Sequence, residues 1–231
     1  MIIADQLTKT YNDVTVLNID RLEIPKGESF GLVGNNGAGK TTFFSLLLDL
    51  IEPTSGSITS NEIPISKSEA WKPFTAAYID ETFLIGYLTP EEYFYFIGEL
   101  RGWNKADVDS FLIQFESFFN DEILHKKKYL RDLSKGNSKK VGIVAAMIGN
   151  PEVIILDEPF ANLDPTTQIR LKQMIKKLTD NKETTFLISS HDLQHTVEVC
   201  NRIVVLEKGL VVKDLQSSDE TMKELETFFS A

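Results

Sequence analysis

The residues best placed to do chemistry are Gly34-Asn35-Asn36-Gly37-Ala38-Gly39-Lys40-Thr41-Thr42. They fit the pattern G-x-x-x-x-G-K-[ST], with an apolar run, Phe30–Val33, before them and a helical-looking segment, Thr42–Ile51, after them. Three glycines let a backbone turn with positive φ and approach a ligand with no Cβ in the way. Successive N–H groups and the following helix N-terminus then face anionic oxygens. In this pattern Lys40 reaches the β- and γ-phosphates of a nucleotide and the Thr41 hydroxyl binds Mg²⁺. The alternative is a glycine-rich turn that binds nothing, and the strand-then-helix context weighs against it. Further on, Val153-Ile154-Ile155-Leu156 reads as a buried strand with Asp157 and Glu158 at its carboxyl end. Ligands of open α/β sheets bind at that edge. Asp157 can hold Mg²⁺, directly or through water. Glu158 points elsewhere and can polarise a water for in-line attack. His191 follows another apolar strand, Thr185–Ser189, and Ser190. It is a candidate γ-phosphate sensor. His125 and His195 lack such a setting and receive no role.

The elements that must position these groups follow from periodicity. Residues 2–27 read as two or three strands, turning at Asn12-Asp13 and ending at Pro25-Lys26-Gly27. Tyr11 lies at the first turn; alone, such a ring is an edge or core residue, though it can stack on a base. The helix after the phosphate loop is apolar nearly all round, hence buried. Ser57–Ile65 and Ala76–Ile79 read as further strands. Thr89-Pro90-Glu91-Glu92 starts a helix with an N-cap, a first-position proline and a T-x-x-E box. A second helix from Asn104 carries Val108, Phe111, Leu112, Phe115 and Phe118 at helical spacing. Residues 83–138 are expected to be an inserted helical subdomain within an alternating β/α chain. Its aromatic residues exceed one helix face, so a partner-binding groove can take those the core does not. A helix is expected over Ser138–Gly149, another of about 15 residues after the Asp164-Pro165 cap, a closing hairpin over Ile203–Val212, and a terminal helix over 217–229 boxed by Ser217 and Glu220.

The chain has 231 residues, 42% of them apolar, and a net charge of −10. One domain with an insert is the simplest division. No apolar run approaches the ~20 residues of a membrane span, and Met1–Asp5 has no signal-peptide core. The single cysteine, Cys200, excludes an internal disulfide, suits a reducing compartment and reads as a packed, inert thiol. The acidic balance argues against broad nucleic-acid binding, and Lys126-Lys127-Lys128 reads as solvated surface.

The motifs, in this order, resemble the ATP-binding-cassette (ABC) ATPases, the motor subunits of ABC transporters. The resemblance runs from Tyr11 to about Asp214. The phosphate loop occurs in many ATPases. The segment Leu133-Ser134-Lys135-Gly136-Asn137, ahead of the strand ending in Asp157-Glu158, resembles the far more specific family signature. Ala161-Asn162-Leu163-Asp164 looks like the D-loop, Ser190-His191 like the switch histidine, Tyr11 like the adenine-stacking aromatic and Val16 like its apolar neighbour. The resemblance implies a phosphate-loop NTPase core with a mostly parallel sheet and an N-terminal antiparallel β subdomain. The core takes residues 1–82 and 139–231, and 83–138 are the helical insert. It also implies a second ABC ATPase subunit packed head to tail, so that Ser134–Asn137 of one copy cover ATP held by the other. Glu158 is then the base, and an integral-membrane permease holds the ATPase at the inner face of the cell membrane. Two departures stand out. Glu81 takes the place of the usual Gln, still able to offer Mg²⁺ an oxygen but adding charge beside Asp157 and Glu158. Lys135 takes the place of the usual second Gly, as in many exporter-type relatives. A phosphate-loop kinase does not explain Leu133–Asn137, and 83–138 contain only Arg101 and Arg131, thin for an arginine-rich lid. A non-transport cassette, regulatory or associated with nucleic acid, usually carries two cassettes or a long coiled coil.

Overall fold

Among residues 1–180 and 182–230, which the computed structural model describes, the strands sort into two sheets. In chain order, β1 (Ile2–Tyr11) and β2 (Val14–Ile24) form a hairpin, and β3 (Ser29–Val33) feeds the phosphate loop and α1 (Lys40–Leu47). Next come β4 (Ser55–Ser60), β5 (Ile63–Pro64) and β6 (Thr75–Tyr78). Four helices follow: α2 (Pro90–Leu100), α3 (Lys105–Leu112), α4 (Glu116–Phe119) and α5 (Lys135–Ala145). The chain then alternates through β7 (Val153–Leu156), α6 (Pro165–Thr179), β8 (Thr185–Ser190), α7 (Leu193–Val199), β9 (Arg202–Glu207), β10 (Leu210–Gln216) and α8 (Thr221–Ser230).

The first sheet is antiparallel, in the order β2-β1-β4-β5. The second runs β10-β9-β3-β8-β7-β6, parallel except for the β9–β10 hairpin. Side chains alternate across the parallel sheet. On β7, Ile154 and Leu156 face one apolar cluster with α5, α6 and the helices before them, while Val153 and Ile155 face another with α1 and the first sheet. Both faces are covered, which explains why β3, β7 and β8 read as continuous apolar runs. The carboxyl ends of β3, β7 and β8 therefore share one edge.

Caps set the helix limits. Thr89 and Asn104 each close a capping box, with Glu92 and Asp107. Asp164 caps the 15-residue α6 as expected. Several boundaries differ from expectation: the helix expected from Asn104 through Phe118 breaks at Ile113–Phe115 into α3 and α4, and α1 spans Lys40–Leu47 rather than Thr42–Ile51. α5 begins at Lys135 rather than Ser138, because the Ser134 hydroxyl accepts the Asn137 N–H at 3.2 Å. The expected strand Ser57–Ile65 is a hairpin, folded at Asn61 and Glu62, both at positive φ. The Ser217–Glu220 box does not form: Ser217 N–H donates to Asn201 O at 2.8 Å, continuing the sheet edge. The turn closes instead through Ser218 N–H on Thr221 Oγ1 at 2.8 Å, and α8 starts at Thr221.

α5 lies directly on β6. A Cβ at Gly142 would stand 2.1 Å from the buried Tyr78 ring. Gly142→Ala gains helix propensity of about 1 kcal/mol but must displace the buried Tyr78 ring, at a cost of about 1–3 kcal/mol. A net loss of up to about 2 kcal/mol is expected in denaturant unfolding; a stabilised variant would contradict this packing. Cys200 is packed in the core as expected, and burial pushes its thiol pKa up.

Candidate functional site

β3 ends in a loop whose shape needs its glycines. Gly37 and Gly39 stand at φ 81 and 108. At Gly34 a Cβ would meet Leu206 O at 2.3 Å, so only glycine lets the loop leave the sheet beside β9. Gly39 is the N-cap of α1, which starts with no side-chain cap and no acid in its first turn. Its leading N–H groups are thus left for an anion. Lys40 is buried and folds back over the loop, donating to Gly34 O at 2.7 Å and Asn35 O at 3.4 Å. Asn35, Asn36 and Gly37 are exposed at the loop's outer lip, Ala38 is buried, and Thr42 is half-buried behind Thr41.

Parallel register brings the remaining groups to this edge. Leu156 pairs with Ile188, so Asp157 lies alongside Ser189. Thr41 Oγ1 donates to Asp157 Oδ2 at 2.6 Å, and the Ser189 hydroxyl donates to Asp157 Oδ1. Burial pushes the Asp157 carboxyl above its usual range; the two hydroxyls oppose this, Glu158 adds to it and Lys40 opposes it. A buried carboxylate whose ionised form is disfavoured, against a hydroxyl, forms a pair of hard oxygen donors of the type Mg²⁺ takes beside phosphate oxygens and water. The residues present fit that ion.

Glu158 turns away from Asp157. Its φ is 47, left-handed and uncommon for a residue with a side chain. The turn sets Glu158 Oε1 3.6 Å from Lys40 Nζ and Oε2 2.8 Å from His191 Nδ1. Glu158 is thus in direct contact with both Lys40 and His191.

Other expected residues are brought less close. Tyr11 ends β1, pairs with Val14 and is 46% exposed, with Lys9 Nζ 4.8 Å from its ring centroid. Val16 adjoins the loop through its backbone: a Cβ on Gly39 would stand 3.0 Å from Val16 O. Among the described residues, no three His, Cys, Asp or Glu side chains converge as a metal cluster. The Glu81 carboxylate lies 3.8 Å from Lys135 Nζ, so the two departures from the family pattern face each other. Ser134 and Lys135 are exposed, and Gly136 and Asn137 half-exposed, before α5 dives into the core. No hydrogen bond among the described residues joins Ser134–Asn137 to the phosphate loop of the same chain. Gly136 abuts the Ala161–Asp164 segment, where its Cβ would meet Asn162 O at 3.0 Å.

Sequence reasoning missed Ser189 and Lys139. The first was findable by pairing β7 with β8, which sets a hydroxyl opposite Asp157. The second sits where α5 enters the core and is buried, with Nζ donating to Glu158 O at 2.7 Å.

Comparison with known proteins decides the family. Residues 17–161, more than half of the chain, match the family model described as ABC transporter. The chain belongs to the ABC transporter family. It is 34% identical over 219 residues to the uncharacterized ABC transporter ATP-binding protein YhaQ of Bacillus subtilis, covering 90% of this chain and 69% of that protein. It is 32% identical over 222 residues to the bacitracin transport ATP-binding protein BcrA of Enterococcus faecalis, covering 94% and 69%. The dimeric ATP-binding cassette MJ0796, bound to ADP and Pi, superposes with a TM-score of 0.83 at 22% identity, covering 94% of this chain and 99% of that one. The α/β phosphate-loop core with its N-terminal antiparallel sheet is the ABC cassette fold, and the chain is an ATP-binding subunit of this family.

Proposed function

We propose that this ABC cassette is a Mg²⁺-dependent ATPase that drives a separate membrane permease. The observation that carries the reading is the position of the Glu158 carboxylate. It is held between Lys40 and His191, beside the Thr41–Asp157 pair. Lys40 and the N–H groups of Gly37–Thr42 would bind the β- and γ-phosphates, with Tyr11 and Val16 at the adenine. Thr41 and Asp157 would hold Mg²⁺, which supplies charge neutralisation on the β- and γ-oxygens. Glu158 takes a proton from the attacking water as its oxygen bonds to the γ-phosphorus and the bond to the β-bridging oxygen breaks. ADP and phosphate leave. His191 orients Glu158 and touches the γ-phosphate.

One copy completes only half of this. The exposed start of α5, with Ser134 as its cap, supports contact with ATP on a second ABC subunit, where a helix N-terminus stabilises the γ-phosphate charge. Asp164 and its loop, packed on Gly136, would join the same interface. We take residues 83–138 as the helical insert that meets the permease. A cavity of about 740 Å³ opens between it and the parallel sheet, lined by Phe83, Leu100, Tyr78 and Thr75. Phe83 and Leu100 are exposed, and the buried Tyr78 and Thr75 hydroxyls have no hydrogen-bond partner among the described residues. An apolar segment bringing its own polar groups suits such a groove, and a cytoplasmic helix of the permease is the occupant we assign. The Glu81 and Lys135 variants, with the similarity to a protein named for bacitracin transport, favour export.

No described helix is long and apolar enough to cross a membrane; in this reading the permease holds the cassette at the membrane. Affinity capture from detergent-extracted native membranes is expected to recover a multi-span protein, with ATP hydrolysis abolished by chelation of Mg²⁺. Recovery of ribosomes or DNA-repair factors without such a protein would overturn the transport role.

A further inference from the structure

Lys139 is 6% exposed, and the proposed hydrolysis gives it no task. An ammonium taken out of water is costly unless it is paired and hydrogen-bonded, so apolar packing does not account for it on α5. Its Nζ lies 2.7 Å from the carbonyl oxygen of Glu158, and the carboxylates that face it are Glu158, Glu81 and Asp157. The carbonyl it holds belongs to the left-handed residue of the site. Glu158 also gives its N–H to Ser189 Oγ at 2.9 Å, and its carbonyl accepts Ala161 N–H at 3.3 Å as well. A non-glycine residue stays at positive φ only when its surroundings over-determine it. Here that conformation decides where the carboxylate goes, because a Glu158 relaxed to extended backbone would point away from Lys40 and His191. The link also has an address: Lys139 is one turn beyond Lys135 on the helix that Ser134 caps.

We propose that Lys139 is a positioning residue for ATP hydrolysis, its ammonium pinning the Glu158 carbonyl and thereby the direction of the Glu158 carboxylate. The inference rests on the reading of Glu158 as the base. Lys139 touches no reacting atom. Through α5 it ties the aim of the base in one site to the helix whose exposed end serves the other.

The test uses the full chain in the complex recovered from membranes. Lys139→Met keeps the volume and loses the donor and the charge. It is expected to lower kcat about 10- to 100-fold, the scale of a misplacement near 1 Å, while KM for ATP and the nucleotide Kd stay within about twofold and the melting temperature holds. Lys139→Arg is expected to restore most of the rate. In a Glu158→Gln background Lys139→Met is expected to cost no further rate, since residues acting as a unit are not additive. Full rate in Lys139→Met, additivity with Glu158→Gln, or a kcat loss that tracks KM and melting temperature without rescue by Arg would each overturn the inference. Should Lys139→Met not fold, Lys139→Gln is measured in the same way, and a rate loss that follows its melting temperature overturns it. Loss of rate in Glu158→Gln with none in Lys139→Met defeats this inference alone; no loss in either defeats the base assignment as well.

Discussion

Glu158→Gln is expected to slow ATP hydrolysis about 100-fold or more while leaving ATP affinity within about threefold. The substitution keeps the side chain's volume and removes only its negative charge and proton-accepting power. The backbone bonds that set the residue at positive φ, from its N–H to Ser189 and from Lys139 to its carbonyl, do not involve the carboxylate. An amide can still turn its oxygen toward Lys40 Nζ and its NH₂ toward His191 Nδ1, replacing contacts that stand at 3.6 and 2.8 Å. The fold and the phosphate cradle should therefore survive. Affinity should not fall, because one fewer carboxylate then faces the triphosphate beside Asp157. The measurement pairs nucleotide titration with single-turnover hydrolysis, so that binding and chemistry are read apart. Unchanged turnover would remove Glu158 as the base and leave the Lys40–Glu158–His191 contact without a catalytic purpose.

What could be read in advance, and what could not, divides along the range of the interactions. The phosphate loop was legible because its requirements are local: glycines where φ is positive, a lysine and a hydroxyl at fixed offsets. Asp157 and Glu158 were legible because four apolar residues buried on both sheet faces point to a strand carboxyl end. Turn and cap chemistry placed the hairpin at Asn12-Asp13 and the helices after Thr89 and Asp164. The order β10-β9-β3-β8-β7-β6 was not legible, since it depends on which distant strands pair. With the order hidden, Glu81 could not be seen beside Lys135, and Ser189 could be set beside Asp157 only by supposing that β7 and β8 pair. The left-handed turn at Glu158 was hidden too, because a glutamate gives no local signal for it; it is imposed by Ser189 and Lys139 from other elements. The start of α5 was misplaced through the signature itself. Ser134-Lys135-Gly136-Asn137 reads as a loop by its glycine, yet the serine hydroxyl caps the helix three residues sooner.

Co-expressing two inactive variants of the chain is expected to restore hydrolysis, provided that the chain pairs with itself. Lys40→Met removes the ammonium that lies over the phosphate loop and leaves Ser134 untouched. Ser134→Asp keeps a strong N-cap, so α5 should still begin at Lys135, but it sets a negative charge where the partner's γ-phosphate would come. Each variant alone should fall about 100-fold or further, the scale seen when one charge-stabilising donor is lost from a reaction centre. In a two-fold symmetric pair the contact of one copy's loop with the other's signature occurs twice. A mixed pair therefore holds one site spoiled on both sides and one built from the intact loop of the Ser134→Asp copy and the intact signature of the Lys40→Met copy. Random pairing makes about half of the dimers mixed, each with one good site of two, so about a quarter of the wild-type rate should return. Recovery of that size cannot come from either chain by itself, because no single polypeptide in the mixture carries both intact halves. A mixture as inactive as its components would mean that Ser134 and Lys40 serve the same nucleotide within one chain, or that this subunit pairs with a different one. In either case Ser134 at the exposed end of α5 would no longer be assigned to a second copy of this chain.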